Sequence, residues 1–250
     1  MNLRLKRVLS HDRVIVLACL AAAAGLSWLW LARAPMGGMG DVWTAAYLAP
    51  AFAMWALMMV AMMLPSAAPM ILLHARFGRA QATGRALAGT AVFALAYLAV
   101  WSLFSIAATL LQAALVWAGA ISAMALAIGD ARLAGVLLIL AGLYQLTPLK
   151  RACLAECRSP ISFLMRLWRP GVRGAARLGL AHGAYCLGCC WALMALLFVG
   201  GAMSLGWVAV LAGLVFVERL APPAWRLSEG LAVVLIVAGA MLLVGVDVRG

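Results

Sequence analysis

Long apolar runs separated by short charged stretches dominate the hydrophobic pattern of this chain. Most of the runs reach the roughly 17 to 25 residues that an α-helix needs to cross the hydrocarbon core of a bilayer. The pattern therefore predicts an all-α fold, a polytopic bundle of about seven transmembrane helices. The predicted spans are 14–31, 44–64, 87–112, 132–148, 179–203, 205–220 and 229–246.

The apolar run from Leu87 to Ile128 needs separate treatment, because its 42 uncharged residues are enough for two crossings. Basic residues decide the matter, since Lys and Arg accumulate in cytoplasmic loops. One crossing, followed by a short interfacial or re-entrant helix after Gln112, places 16 of the 19 Lys and Arg residues inside, whereas two crossings leave nine there. We therefore predict seven spans in one integral membrane domain over 1–250, with a cytoplasmic N-terminus and an uncleaved first helix.

The composition agrees with a membrane protein, because 68% of the residues are hydrophobic and only 10% are charged. In a soluble protein, a formal net charge of +12 would suggest nucleic-acid binding. Here the basic residues lie between apolar runs and no basic groove with interleaved aromatic residues is visible, so we predict no nucleic-acid binding. The expected partner is the lipid bilayer, and the high Ala, Arg and Gly content favours a bacterial cytoplasmic membrane.

The longest predicted connection, 149–178, contains seven basic residues interleaved with apolar ones. This pattern is typical of segments that lie on an anionic membrane surface. Pro160 and Pro170 should divide the connection into short helices, because proline interrupts helical hydrogen bonding. The sequence thus predicts a cytoplasmic, interfacial helical segment before the fifth span.

Five of the six cysteines lie between positions 153 and 190, whereas Cys19 is isolated and is best explained by core packing. His182, Cys186 and Cys189 fall within about 60° of one another on a helical wheel, with Cys190 and Met194 beside them. These residues extend along too much of the helix to close a site by themselves. Soft sulfur ligands in this arrangement indicate copper(I), zinc or an iron–sulfur centre, as an alternative to plain packing.

Cys153 and Cys157 are the expected source of the missing ligands. They are four residues apart, so they share a face of a helix, and the predicted topology brings them to the same leaflet as Cys186. The cytosol is reducing, so we expect free thiols here and not structural disulfides. The sequence predicts a soft-metal site formed by several helices near the inner leaflet.

Other candidate ligands are weaker, because each has an ordinary structural explanation. Met58 and Met62 belong to a methionine stripe on the second span that would suit copper(I) but also suits core packing. His74 follows Pro65 and Pro69, which should bend or unwind the chain there, although an interfacial histidine is often simply solvated. Glu218 is either a site carboxylate or half of a surface ion pair with its neighbour. The loop methionines Met36 and Met39 could form an entry site, although they also fit an ordinary loop.

Four segments resemble the bacterial DUF2182 family of predicted metal-binding integral membrane proteins, some of which are labelled copper chaperones. The matching segments are M-W-A-L-M-M-V-A-M-M-L-P-S-A-A-P-M (54–70), Y-Q-L-T-P-L-K-R-A-C-L-A-E-C-R-S-P (144–160), G-L-A-H-G-A-Y-C-L-G-C-C-W-A-L-M (179–194) and F-V-E-R-L-A-P (216–222). The block around the cysteines is the most specific of them. The resemblance implies a metal-linked role for the chain.

The leading hypothesis is a membrane copper chaperone or delivery factor that exchanges copper(I) with a metal-donor or metal-acceptor protein, with zinc as another possible ion. No Walker A loop is visible, so active pumping by this chain alone is not expected. One alternative is an enzyme, a membrane thiol–disulfide oxidoreductase that uses Cys186 and Cys189 with Cys153 and Cys157. Another is a structural or assembly subunit of a membrane complex.

Overall fold

Helices form nearly all of the chain that the computed structural model describes, which comprises residues 3–33, 41–80 and 86–245. The loop methionines Met36 and Met39 lie outside these residues. Besides ten α-helices, the described part contains a 3₁₀ turn at Pro223–Trp225. The helices are α1 (Leu3–Arg33), α2 (Ala45–Ala80), α3 (Ala86–Trp117), α4 (Ala131–Gln145), α5 (Pro148–Arg158), α6 (Pro160–Leu167), α7 (Gly171–Ala195), α8 (Leu197–Gly200), α9 (Leu205–Leu220) and α10 (Leu227–Leu243).

Several helices are long and apolar enough to cross a membrane. Four stretches qualify by length and composition, and they lie in α1, α2, α3 and the consecutive helices α7 and α8. The pair α4 and α5, bent by 63°, adds a fifth if it is counted as one span. Helices α9 and α10 are apolar but shorter, at 16 and 17 residues. The all-α prediction is confirmed for the described residues.

The second predicted span is longer than expected, because α2 runs unbroken through three internal prolines, Pro50, Pro65 and Pro69. Of the two predicted alternatives at Pro65 and Pro69, a bent or an unwound segment, the unwound one is therefore wrong. Ser66 donates a hydrogen bond to the carbonyl of Met63, at 2.9 Å, beside the first of these two prolines. Packing of α1, α3 and α9 against α2 supplies the support that neighbouring helices commonly give to proline-containing spans.

The ambiguous apolar run contains a single helix. Helix α3 continues to Trp117, and within the described residues no helix intervenes before Ala131. The predicted interfacial or re-entrant helix after Gln112 is therefore wrong. Instead, Ile121 and Ile128 form an isolated bridge, and the Ile128 amide donates to the carbonyl of Phe198 at 2.8 Å. These hydrogen bonds attach the loop to the end of α8.

The connection before α7 begins with a sharp break in the predicted 132–148 span. Helix α4 ends at Gln145, and the Thr147 side chain caps α5 by accepting from the Lys150 amide at 3.2 Å. Proline stands in the first turn of both α5 and α6, where it costs no helical hydrogen bond. Phe163 and Leu164 of α6 are buried, whereas Ile161 and Met165 are exposed. The segment that was predicted to be interfacial thus consists of two short amphipathic helices.

Glycines bring α4 and α10 into close contact. A Cβ built at Gly135 would lie 2.7 Å from the carbonyl oxygen of Gly239, and a Cβ at Gly239 would lie 2.6 Å from that of Gly135. Backbones can approach this closely only where side chains are absent. The contact fixes α10 against α4, and α4 leads directly into the cysteine helix α5.

Candidate metal centre

Helix α7 carries the main cysteine motif on its buried side. Cys186, Cys189 and Cys190 are each at most 1% exposed, and His182 is also buried. The thiols of Cys189 and Cys190 both donate to the carbonyl of Cys186, at 3.1 and 3.0 Å. The helical face predicted from the spacing is therefore a face that other helices cover.

Glycines within the motif explain how those helices come so near. A Cβ built at Gly179 would lie 2.3 Å from a backbone oxygen of α3, and one at Gly183 would lie 2.8 Å from an α3 side chain. On the side facing α5, a Cβ at Gly188 would lie 2.7 Å from Sγ of Cys153. The glycines allow α3 and α5 to pack directly on the backbone of α7, and Cys153 occupies the space that Gly188 leaves.

One thiol–thiol contact joins the two cysteine helices α5 and α7. Sγ of Cys157 on α5 lies 4.0 Å from Sγ of Cys189 on α7. Two thiolates that bind one ion at about 2.3 Å are roughly 3.8 Å apart at a tetrahedral angle and roughly 4.6 Å apart in a line. The observed separation lies between these limits, so the pair is spaced to share a soft ion with little rearrangement.

A buried arginine lies among the sulfurs. Nη2 of Arg219, at the end of α9, is 2.5 Å from Sγ of Cys186, 3.5 Å from Sγ of Cys189 and 3.7 Å from Sγ of Cys190. Its Nη1 donates to Oγ of Ser66 on α2 at 2.7 Å, and its Nε has no hydrogen-bond partner among the described residues. A guanidinium at these distances favours thiolates, which are the metal-binding form of cysteine.

Aromatic residues line the other side of the motif. The hydroxyl of Tyr97 on α3 lies 2.9 Å from Sγ of Cys186. The His182 ring is surrounded by Phe93, Tyr97 and Phe163, with centroid distances between 5.6 and 6.1 Å. Within the part of the chain that the structure describes, Nδ1 of His182 is buried without a hydrogen-bond partner, so it can act as an acceptor or a ligand.

Glu218 takes a different position from the one predicted for a site carboxylate. Both of its carboxylate oxygens accept from Nζ of Lys150 at 2.7 Å, and Oε1 also accepts from Ser228 at 2.5 Å. Lys150 donates in addition to Oε1 of Gln145. The carboxylate is thus held in a buried ion pair, while its chain neighbour Arg219 contacts the cysteines.

His74 has the surroundings of a packed histidine. Its Nδ1 lies 3.2 Å from Oγ1 of Thr90, and its ring contacts Phe93 and Trp168 with centroid distances of 5.1 and 5.2 Å. Trp168 follows α6, so His74 connects α2 to the segment of α5 and α6. This environment gives a structural account of His74 without a metal.

The methionine candidates lie in the core. Met58, Met62 and Met194 are all fully buried. The two residues on α2 belong to a buried face that also contains Met54, Met59, Met63 and Met70. Flexible thioethers fill irregular gaps in such cores, so their burial agrees with packing. A ligand role for these methionines stays a prediction.

The close pair of thiols favours a metal ion that is stable with few ligands. Among the described residues, no three His, Cys, Asp or Glu side chains are grouped closely enough to hold a metal ion as they stand. A structural zinc site needs four ligands arranged as a tetrahedron, whereas copper(I) is stable with two thiolates. The Cys157–Cys189 pair therefore fits copper(I) better than structural zinc.

Arg219, Tyr97 and Ser66 are contacts of the site that the sequence analysis did not identify. Only Arg219 had a usable signal, because an ionisable residue in an apolar run is a functional candidate by default. The adjacent Glu218 carries the same signal, and local sequence does not tell which of the two faces the cysteines. Tyr97 and Ser66 have no distinguishing pattern in the chain.

Residues 52–242 match the protein-family model PpoB2, whose description is copper chaperone. The chain belongs to this family. No curated protein and no solved structure matches the chain. The PpoB2 match begins in α2 and ends in α10, so it contains the five clustered cysteines and Arg219 but excludes Cys19. Membership supports the copper-related role that the soft ligands predicted.

Proposed function

We propose that this protein is an integral membrane copper chaperone that holds copper(I) between the cysteines of α5 and α7 and passes it to a partner protein. The observation that carries the proposal is the 4.0 Å approach of Cys157 to Cys189, in a chain of the PpoB2 copper chaperone family. Two thiolates from different helices leave the ion under-coordinated, so an incoming thiolate can exchange with one of them.

The location we propose is the bacterial cytoplasmic membrane, with seven spans and a cytoplasmic N-terminus. Large apolar side chains are strongly exposed along the spans, for example Leu95 and Leu103 on α3, which are 65% and 68% exposed. So much exposed apolar surface would cause aggregation in water but suits contact with lipid. In this orientation the basic interfacial helices, and with them Cys153 and Cys157, lie at the cytoplasmic leaflet.

Exchange of copper would begin at Cys157. This residue is partly exposed, whereas Cys186, Cys189 and Cys190 are buried behind it. A thiol of a donor or acceptor protein would therefore reach the ion first from the Cys157 side. Stepwise replacement of one thiolate by another lets the ion move without being released into solution.

Other side chains complete the proposed site to different degrees. Cys153, Cys190, His182 and Met194 lie on the same helices as the thiol pair and are proposed as alternative ligands during exchange. The free Nδ1 of His182 supports its inclusion. We leave out Glu218 and His74, whose side chains have the partners described above. Zinc is the second ion proposed for the site. Met58 and Met62 are proposed only as thioethers that guide copper(I) along α2 towards it.

Metal analysis of the purified protein tests the proposal. After loading with copper(I) and removal of excess ion, the wild type should retain stoichiometric copper. Cys157→Ser and Cys189→Ser should each lose most of it, because neither serine provides a thiolate. Cys19→Ser is the matched control and should retain wild-type copper, since Cys19 lies on α1 apart from the site. Wild-type copper in both site variants would contradict the proposal.

One observation also favours the thiol–disulfide oxidoreductase. Two thiols 4.0 Å apart need only a modest side-chain rotation to form a disulfide. An oxidoreductase would cycle between dithiol and disulfide with a substrate thiol and would need no metal. Reduction of an external disulfide by the metal-free protein, abolished by Cys157→Ser, would favour this alternative over the chaperone.

A further inference from the structure

Arg219 is a buried cation without a carboxylate partner in the described residues. It is 5% exposed, and the ion pairs in this part of the chain join Lys150 to Glu218, Arg166 to Glu156 and Arg226 to Glu229. Its contacts are sulfur atoms, one carbonyl oxygen and one hydroxyl. An unpaired charge is costly in a buried environment, so its position demands a compensating negative group.

The nearest acid does not provide that compensation. Glu218 precedes Arg219 in the chain, but its carboxylate is bound by Lys150 and Ser228. The remaining source of negative charge is the thiols that surround Nη2. The charge of the Arg219 guanidinium is therefore coupled to the protonation of the Cys186, Cys189 and Cys190 thiols.

We infer that Arg219 selects for a monovalent metal ion, so that the site prefers copper(I) to zinc(II). This inference rests on the proposed function. Any ion bound by the thiolates near Nη2 lies within a few ångströms of a fixed positive charge. A divalent ion at the same place is repelled twice as strongly as a monovalent one.

The overall charge of the bound site leads to the same preference. The Cys157 and Cys189 thiolates, one copper(I) ion and the Arg219 guanidinium sum to zero when the other cysteines stay protonated and each ligand thiol has given its proton to solvent. The same two thiolates with zinc(II) leave one surplus positive charge in a buried place. Zinc would need a third thiolate to restore neutrality, whereas copper needs none.

The ratio of copper(I) to zinc(II) affinities tests this inference. Each affinity is measured by competition with a chelator of that ion, on the purified full-length protein with copper(I) or zinc(II) alone. Arg219→Gln should lower the ratio at least about tenfold, while Arg219→Lys, which keeps the charge, should leave it within about threefold. The ratio is informative because weaker thiolate formation or partial misfolding affects both ions together.

A second pair of variants tests the charge without removing the arginine. Oγ of Ser66 lies 2.7 Å from Nη1 of Arg219, so Ser66→Asp places a carboxylate on the guanidinium and neutralises it. The ratio should again shift towards zinc, whereas the neutral Ser66→Asn should resemble the wild type. These two Ser66 variants test the role of the Arg219 charge even if Arg219→Gln does not fold.

The outcomes separate the inference from the proposed function. A wild-type protein that binds no copper(I) contradicts the chaperone itself. A wild type that binds copper(I), together with an unchanged ratio in folded Arg219→Gln or in Ser66→Asp, contradicts only the role of Arg219. An equal change in Arg219→Lys and Arg219→Gln would also overturn it, because shape and not charge would then be responsible.

Discussion

The Sγ atoms of Cys157 and Cys189 lie 4.0 Å apart, although 32 residues separate them in the chain. Neither helix could form this pair alone, since the cysteines of each helix are spread along its own axis. The pair exists because Gly188 lets α5 pack against the backbone of α7. The position of one short helix therefore determines whether the thiols can act together.

Mild oxidation should join Cys157 to Cys189 before any other pair. The sulfurs must move from 4.0 Å to the roughly 2.05 Å of a disulfide, which side-chain rotation can achieve. Mass spectrometry of peptides from the unreduced protein should show the linked pair, and copper(I) bound beforehand should protect it. Cys19→Ser should not change the result. A dominant link between Cys186 and Cys189 would contradict this prediction.

Gly188→Ala should weaken copper binding and stability together. The added methyl group would lie 2.7 Å from Sγ of Cys153, so α5 has to move away from α7. Overpacking of this kind costs about 1 to 3 kcal/mol. We expect a lower melting temperature in detergent and a copper content well below that of the wild type, measured by metal analysis.

Gly213→Ala is the matched control for that experiment. No atom of the described residues lies within 4 Å of a Cβ built at Gly213, and the residue is also in the middle of a helix. The same chemical change should leave copper content and melting temperature near or above the wild-type values, because alanine favours helix. Equal losses in both variants would mean that the Gly188 contact has no special role.

The helices themselves could largely be predicted from the sequence, because apolar length and charge placement are local signals. The span predicted at 205–220 coincides with α9. The break after α4 also had a local signal, since Thr147 followed by Pro148 is a typical helix start. The predicted span 132–148 nearly coincides with α4, but hydropathy alone placed its end three residues beyond Gln145.

The arrangement of the site depended on packing that no local pattern encodes. Helical spacing correctly grouped His182, Cys186 and Cys189 on one buried face. It could not show that Arg219, and not Glu218, faces the cysteines, because the two are adjacent and differ by about 100° around α9. The packing of complete helices against one another determines which side of α9 faces α7.

Breaking the buried ion pair of Lys150 and Glu218 should destabilise the protein without removing copper. Lys150→Met leaves a buried carboxylate unpaired, at a cost of about 3 to 5 kcal/mol, and the double variant Lys150→Met/Glu218→Gln should recover much of this loss. Thermal unfolding in detergent measures the coupling between the two positions. Glu218→Gln should keep wild-type copper, and loss of copper from a folded Glu218→Gln protein would restore Glu218 as a ligand.

The exposed pair of Arg226 and Glu229 provides the comparison for that cycle. Their side chains are largely exposed, at 73% and 43%, so water already screens the attraction. Glu229→Gln should change the free energy of unfolding by less than about 1 kcal/mol. A loss as large as that of Lys150→Met would show that burial is not what makes the Lys150 pair important.

The orientation of the bundle can be tested at two exposed positions on either side of the bent helices α4 and α5. Met124 lies in the loop after α3 and Ser162 lies on α6, and the proposed topology places them on opposite sides of the membrane. In a background lacking Cys19 and Cys157, a membrane-impermeant maleimide should label Met124→Cys in intact spheroplasts. It should label Ser162→Cys only after permeabilisation, because basic loops stay in the cytoplasm. The reverse pattern would invert the orientation, and labelling of both from one side would mean that α4 and α5 do not cross.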